Sequence, residues 1–288
     1  MNSFYRELSR KILLYFSLFI MIFNTGENSE ELRERYNPKG SLMYKAQQRM
    51  LEMWLYLDGI CKNLNIQYRL DGGSILGAVR HQGFIPWDDD MDLAFERKDL
   101  ERLKKYLLEH PHPQFILQTH ETDSGFWGSW YILRDMKSEY LQDSTIHNSR
   151  KFRGLQIDLF PYDKGNIYLL QYISMCLYNI TSGLICQKKY IKANLLWHVN
   201  LKILFPLFRL FNIFGDKKKT SHSYGTSWIT HFHNIEDCLP YKKMRFEEYE
   251  IWGPSNPNNI LKKIYGDYMK LPEIGNRNKH EAVLKIWE

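Results

Sequence analysis

The chain has 288 residues, of which 44% are apolar, 15% aromatic and 25% charged, a globular composition that excludes extended disorder. Its 39 basic and 33 acidic residues give a formal net charge of +6, a modest excess that suits a nucleic acid, a membrane surface or a phosphorylated ligand equally well. The four cysteines lie far apart with no C-x-x-C pair, which argues against a cysteine zinc site and indicates free thiols in a reducing compartment.

Residues 1–45 are predicted to form an N-terminal apolar helix and a linker. The longest apolar run, Ile12 to Phe23, follows three basic residues and is shorter than the roughly 18–20 residues that a spanning helix needs. No small-x-small cleavage site follows it, so we expect a helix that lies in the membrane interface or packs on the core, rather than a cleaved signal. The polar residues 24–45, with Gly26, Pro38 and Gly40, are typical of a linker.

Residues 46–165 alternate between helical and strand patterns, which predicts an α+β or α/β core. Helical spacing of apolar residues predicts a helix from Met43 to Leu64, and Ser74 is a candidate cap for a second helix. The predicted strands of this core are 66–70, 88–95, 114–119, 130–134 and 154–160, with a further helix over 99–108. Later in the chain we expect a hairpin near 246–252 and a helix near 258–265.

An acidic cluster lies between apolar residues at the start of the second strand. If that strand begins early enough, Asp88, Asp90 and Asp92 share one face, because side chains alternate along a strand. Adjacent carboxylates repel one another unless a cation lies between them, and hard oxygen ligands suit Mg²⁺ or Mn²⁺. A solvated acidic turn is the alternative, but the apolar residues on both sides favour the mouth of a pocket.

A Gly-Gly-Ser turn begins 18 residues before Asp90. Gly72 and Gly73 let the backbone approach a ligand closely, and a helix that begins at Ser74 aims its amide groups at an anion. A further acid, Asp158, lies inside an apolar strand, where it is costly unless it is paired or bound to a metal. A phosphate cradle facing metal-binding carboxylates is the layout that phosphoryl or nucleotidyl transfer requires.

The segment GGSILGAVRHQGFIPWDDDMDL resembles the signature of the LicD family, the phosphocholine-transferase branch of the nucleotidyltransferase superfamily that also includes fukutin-type enzymes. The resemblance continues in LQIDLFPYD and in a closing YGDYM pattern with Pro272 and His280. It covers about residues 45–165 and 240–288. It implies a nucleotidyltransferase-type mixed β-sheet flanked by helices, with 46–165 as the catalytic core and 226–288 completing it.

The resemblance also implies site residues and a reaction. Gly72, Gly73 and Ser74 would hold the donor's phosphates, and a divalent ion would bind Asp90 and Asp92, with Asp88 and Asp158 in support. The enzyme would move a phospho-alcohol, typically phosphocholine from CDP-choline, onto a hydroxyl of a glycan such as lipopolysaccharide, teichoic acid or capsule, and CMP would leave. Fukutin-type enzymes are associated with CDP-ribitol instead.

Arg80 and His81 follow the Gly-Gly helix and are candidate contacts to a donor phosphate, Arg80 through its two-pronged guanidinium. The alternative is that Arg80 pairs with the acids as scaffold and His81 ends the helix.

Residues 166–225 are predicted to be a helical insertion that is both apolar and basic. Between 167 and 219 the chain has eight lysines and arginines and one acid. Helices packed on the core with lysine stems along them would explain this pattern, as would a platform on an anionic membrane near a lipid-linked acceptor. No nucleic-acid recognition module accompanies the charge. We therefore expect a cytoplasmic protein that is peripheral at the inner face of the membrane.

Three other functions fit parts of the pattern. A nucleotidyltransferase that makes an activated sugar or alcohol from a nucleoside triphosphate would show the same acids and glycines. A glycosyltransferase with a D-x-D motif would place that motif after a full nucleotide-binding half domain. A non-catalytic glycan- or lipid-binding scaffold would be expected to lack the acids, which are all present here.

Overall fold

The computed structural model describes residues 27–142, 144–226, 232–277 and 281–287. Its helices of eight residues or more are α1 (Ser29–Tyr36), α2 (Leu42–Asn63), α3 (Gly72–His81), α4 (Arg97–Glu109), α6 (Tyr168–Cys186), α7 (Tyr190–Val199) and α10 (Pro257–Tyr265). The shorter ones are α5 (Thr145–Asn148), α8 (Phe205–Phe211) and α9 (Ile235–Cys238), and a π-helical turn, Asn200–Leu204, joins α7 to α8. The strands are β1 (Tyr68–Leu70), β2 (Met91–Glu96), β3 (Phe115–Gln118), β4 (Tyr131–Asp135), β5 (Ser138–Gln142), β6 (Gln156–Lys164), β7 (Lys219–His222), β8 (His233–Asn234), β9 (Lys242–Phe246), β10 (Tyr249–Gly253) and β11 (Glu281–Ile286).

A mixed sheet in the order β1-β2-β6-β4-β3 forms the centre of the fold, and the predicted α+β class is confirmed. β2 and β6 pair in parallel, and the other pairs of this sheet are antiparallel. The last residues of β6 leave β4 and pair with β7. Every residue of β6 from Gln156 to Tyr162 is buried, as expected for a strand that has neighbours on both edges and layers on both faces.

Helix α2 covers one face of the sheet. Met50, Met53 and Leu57 are fully buried along it, and they join the main core with Leu93 of β2 and Leu159 of β6. This helix and the strands β1, β2, β3, β4 and β6 agree with the sequence prediction to within a few residues. The exception is the start of β2, because the strand begins at Met91 and not at Asp88.

The segment predicted as a linker contains a helix that the sequence pattern did not predict. α1 begins with a capping box in which Asn28 and Glu31 each accept a hydrogen bond from the other's backbone amide. Arg33 of this helix forms a two-pronged ion pair with Glu247. The polar composition of residues 29–36 therefore reflects a helix in which one residue, Leu32, is buried. The apolar run from Ile12 to Phe23 lies outside the described residues.

The C-terminal residues pack against the core at three places. β10 contacts β1, α10 contacts α3, and β11 pairs with β5 in an antiparallel ladder. The predicted hairpin and helix of this part are both present, as β9–β10 and α10.

Helices α6, α7 and α8 pack around a small separate core that includes Ile185, Trp197 and Phe205. Their outer surfaces expose many large apolar side chains, among them Tyr168, Leu169, Ile180, Ile191, Leu195, Leu207, Leu210 and Phe211. In length and composition α6 meets the minimum for crossing a membrane, a test that buried helices of soluble proteins and signal sequences also pass. The sequence analysis had found no such segment.

Candidate active site

A cavity of about 550 Å³ opens where α3 begins and β2 and β6 run side by side. Gly72 and Gly73 line it from the helix, and Asp90 and Asp92 line it from the start of β2. Asp158 lines it from β6. The elements that carry the predicted glycines and acids therefore meet at one place.

Strand pairing places two of the acids side by side. In the parallel ladder Asp92 is the direct partner of Asp158, so their side chains leave neighbouring strands on the same face. Asp90 approaches both, and one ligand atom from each of the three lies within 4.8 Å of the others. Asp88, Asp89 and Asp90 form a second group, in which one ligand atom from each also lies within 4.8 Å of the others. Asp88 thus joins the cluster although it precedes the strand.

This donor set fits a hard divalent cation. Burial raises the pKa of Asp92 well above its ordinary value, and the charges of Asp90 and Asp158 raise it further. A cation between the three would relieve that repulsion, and carboxylate oxygens are the ligands that Mg²⁺ and Mn²⁺ prefer.

The glycines at the start of α3 make room for the carboxylates. Gly72 has a φ of +46°, and a Cβ there would lie 2.6 Å from Oδ2 of Asp92. A Cβ at Gly73 would lie 3.3 Å from Oδ2 of Asp88. The first-turn amides of a helix lack intrahelical acceptors, so this end of α3 is suited to an anion.

Ser74 has a different place from the one predicted. The helix cap is Asp71, and Ser74 lies within the first turn. Its hydroxyl oxygen accepts a hydrogen bond from the backbone amide of Asp92 at 2.9 Å, which fixes the start of β2 against α3. Ser74 is not among the residues that line the cavity.

Arg80 and His81 lie at the other end of α3 and do not line the carboxylate cavity. The Nε of Arg80 donates to Nε2 of His81 at 2.9 Å, and its terminal nitrogen donates to the carbonyl of Tyr268. Burial lowers the pKa of Arg80 to about 10 and that of His81 well below its ordinary value. Arg80 borders a neighbouring groove with Trp87 and Tyr268. His280, which belongs to the closing pattern, lies outside the described residues.

Asp158 is held in place by two neutral donors. Trp130 Nε1 donates to one carboxylate oxygen at 2.8 Å, and Gln156 Nε2 donates to the other at 3.1 Å. Sequence reasoning missed Gln156, although its spacing from Asp158 on the same strand places both on one face.

A buried network lies behind the glycine turn. Asp71 accepts hydrogen bonds from Arg69 at 2.8 Å and from the Tyr162 hydroxyl at 3.2 Å, and it contacts Nε2 of His222 at 2.8 Å. Sequence reasoning missed Asp71, and the available signal was a charged residue between a buried strand and two glycines. His222 comes from β7, which the pattern did not predict.

The opposite wall carries the connection between β5 and β6. Among the described residues that line the cavity, Arg150 is the one arginine or lysine. Its guanidinium lies 5.3 Å from the ring centre of Phe126, and its Nε is buried without a hydrogen-bond partner. The His147 side chain is 3% exposed, and neither of its ring nitrogens has a hydrogen-bond partner. The neighbouring Gln156 side chain favours the protonated form of the ring. No periodic pattern marks these two residues in the sequence.

His147 is expected to make the fold sensitive to acid. Burial lowers its pKa to about 3, and Arg150 and Arg134 contribute. Between about pH 3 and 6.5 the histidine is therefore protonated in the unfolded chain and neutral in the folded chain. The stability due to the neutral ring is complete above about pH 6.5 and is lost as the pH falls towards 3, by up to about 1.4 kcal/mol per pH unit.

The His147→Gln variant should lose that part of the pH dependence. Urea unfolding at pH 7, 6 and 5 measures it: the wild-type free energy of unfolding should fall more steeply than that of the variant. Equal slopes for the two proteins would contradict the assignment.

Residues 65–207 match the family described as LicD/FKTN/FKRP, nucleotidyltransferase domain. The chain is 25% identical over 245 residues to the lipopolysaccharide cholinephosphotransferase LicD of Haemophilus influenzae, covering 78% of this chain and 90% of that protein. It is 44% identical over 45 residues to the human ribitol 5-phosphate transferase FKRP, covering 16% of this chain and 9% of that protein. The matched family region contains the glycine turn and all the carboxylates that line the cavity.

Proposed function

The chain belongs to the LicD/FKTN/FKRP family through its residues 65–207, and from that premise we propose that it transfers a phospho-alcohol to a hydroxyl of a cell-surface glycan. The donor that fits best is a CDP-alcohol, in the first instance CDP-choline, with release of CMP. Lipopolysaccharide, teichoic acid and capsule are the acceptor classes. The single observation that carries the proposal is the in-register pair Asp92 and Asp158, facing the glycine turn across one cavity.

Each residue of the cavity has a part in the proposed reaction. Asp90 and Asp92 would hold a divalent ion, with Asp88 and one oxygen of Asp158 in support. When bound, Mg²⁺ or Mn²⁺ would neutralise charge on the donor's phosphates and on the leaving CMP. Gly72 and Gly73 would present the first amides of α3 to those phosphates.

Asp158 would also act on the acceptor. Because Trp130 and Gln156 hold its carboxylate in one orientation, the oxygen not turned to the cation is positioned to accept the proton of the attacking hydroxyl. Arg150 on the opposite wall supplies positive charge at the cavity. We assign no donor contact to Arg80 and His81, because they are not among the residues that line this cavity.

We propose that residues 166–225 are an insertion that places the enzyme at the inner face of the cytoplasmic membrane, near a lipid-linked acceptor. The exposed apolar side chains of α6 to α8 are accompanied by a charge of +7 between residues 167 and 219, which complements an anionic lipid surface. Binding to anionic vesicles is the measurement that tests this location.

The reaction is tested with a panel of CDP-alcohols, acceptor glycan, and Mg²⁺ or Mn²⁺. We expect CMP release that is selective for one alcohol and that a chelator reduces at least about a hundredfold, because the cation offsets several kcal/mol of charge in the transition state. Pyrophosphate release from a nucleoside triphosphate, with every CDP-alcohol inert, would favour a nucleotidyltransferase instead. Donor binding by calorimetry without turnover of either substrate class would indicate a binding scaffold.

A further inference from the structure

A second cavity, of about 580 Å³, lies on the other face of the sheet. Neighbouring residues separate the two cavities: Trp130 and Phe160 line the first, while Tyr131 and Pro161 line the second. Because successive side chains of a strand point to opposite faces, the second cavity lies behind the proposed active site. One wall is α4, and the other is the π-helical turn and α8.

Four cationic side chains line this cavity, and two of them are neutralised within the fold. Arg97 pairs with Asp163 at 2.8 Å, and Lys104 pairs with Glu121 at 2.6 Å. The remaining acid of the lining, Glu101, accepts a hydrogen bond from the Tyr131 hydroxyl. Each of these acids therefore already has a hydrogen-bond or ion-pair partner within the fold.

Two cations of the opposite wall form no direct ion pair within the described residues. Lys202 and Arg209 have no hydrogen-bond or ion-pair partner among the residues that the structure describes, and both line the cavity. Burial lowers the pKa of Arg209 and the charge of Arg97 lowers it further, while the charges of Asp163 and Glu101 act in the opposite direction. The hydroxyl oxygen of Ser129 is buried beside them without a hydrogen-bond partner.

A pair of histidines lines the same cavity. Nδ1 of His120 lies 3.1 Å from the Phe126 carbonyl, and Nδ1 of His198 lies 2.8 Å from the Asn194 carbonyl, so each Nδ1 carries the hydrogen. The two Nε2 atoms then face each other at 3.2 Å.

We propose that this cavity binds a phosphate group, and that the phosphate is the headgroup of an anionic membrane lipid. Phosphate oxygens would give Arg209 and Lys202 the partners that they lack, with Arg209 as a two-pronged donor. The lipid source follows from the neighbouring surface, because α8 also exposes Leu207, Leu210 and Phe211. This source rests on the proposed membrane location, while the phosphate site does not depend on the transfer reaction.

The test compares Arg209→Gln with Lys192→Gln in the full-length protein. Both variants lose one positive charge from the same helical segment, but Lys192 is exposed on α7 and does not line the cavity. Co-sedimentation is measured at physiological salt with phosphatidylcholine vesicles in which a fifth of the lipid is phosphatidic acid. Calorimetry with inorganic phosphate is the second arm, and circular dichroism checks that each variant folds.

We expect Arg209→Gln to weaken vesicle binding at least about fivefold and to abolish phosphate binding, while Lys192→Gln changes either by less than about twofold. Arg209→Lys should restore part of the binding, because it keeps the charge without the two-pronged geometry. If Arg209→Gln and Lys192→Gln weakened vesicle binding equally, the proposal would be overturned, because binding would then reflect the overall positive charge of the segment and not a specific site. Phosphate binding that depends on Arg209, without vesicle binding, would support the site and overturn its lipid source. CMP release from the CDP-alcohol with a soluble acceptor should be unchanged, so failure here and failure of the transfer reaction are separate results.

Discussion

The Asp92→Asn variant is expected to release CMP from its donor at least about a thousandfold more slowly than the wild type, a loss of about 4 kcal/mol of transition-state stabilisation. Asp92 pairs with Asp158 on the neighbouring strand. A carboxylate oxygen of Asp92 lies within 4.8 Å of one from Asp90 and one from Asp158, so the three could share one cation. An amide in its place keeps the shape and removes the charge. Asp216→Asn, at an exposed position, is the matched control and should leave the rate unchanged.

The same variant should be more stable than the wild type when no divalent metal is added. The pKa of Asp92 is raised in the folded protein, so the folded chain holds a proton that the unfolded chain has released, and stability falls as the pH rises above about 3.9. At neutral pH the asparagine should raise the free energy of unfolding by about 1–3 kcal/mol. Addition of Mn²⁺ should raise the melting temperature of the wild type and not that of the variant. If the variant turned over slowly, was less stable than the wild type and was still stabilised by Mn²⁺, its low activity would reflect a folding defect and not the loss of a metal ligand.

Gly72→Ala is expected to reduce turnover about a hundredfold and to cost about 1–3 kcal/mol of stability, because the residue has a positive φ and its Cβ would meet the Asp92 carboxylate at 2.6 Å. The carboxylate must move, and with it the cation site. Steady-state CMP release and urea unfolding measure the two effects.

Gly59→Ala is the matched control for that substitution. Gly59 lies inside α2, and a Cβ there would meet nothing within 4 Å. Alanine should therefore stabilise the helix by about 0.5–1 kcal/mol and leave turnover unchanged. Full activity in Gly72→Ala would show that the glycine turn does not have to approach the carboxylates so closely.

The sequence could predict that the glycine turn and the acidic cluster lie close together because the two are local in the chain. The glycine turn and the acidic cluster lie within one strand–helix–strand unit, although strand alternation does not account for Asp88 and Asp90, because the strand begins only at Met91. The family resemblance is confirmed. Asp158 was identified by its cost inside an apolar strand, and the structure places it beside Asp92.

The sequence was less informative about residues far along a helix and about strands that pair over long distances in the chain. Arg80 is eight residues from Gly72, and a rise of 1.5 Å per residue places it about 12 Å from the glycine end. β5 pairs with β11, which lies about half the chain length away, and such pairing has no local pattern. His147 and Arg150 lie in a connection without periodicity, so their place on the cavity wall becomes visible only in three dimensions.

The parallel pairing of β2 and β6 has a consequence for how chains of this type can diverge. Between the two strands the chain passes through α4, β3, β4 and β5, with an exposed turn at residues 110–113. The ladder, not the length of that excursion, sets the separation of Asp92 and Asp158. Insertions and deletions in the turn leave the ladder intact. The number of residues between the two acids is thus free to drift in evolution, while their separation in space is not.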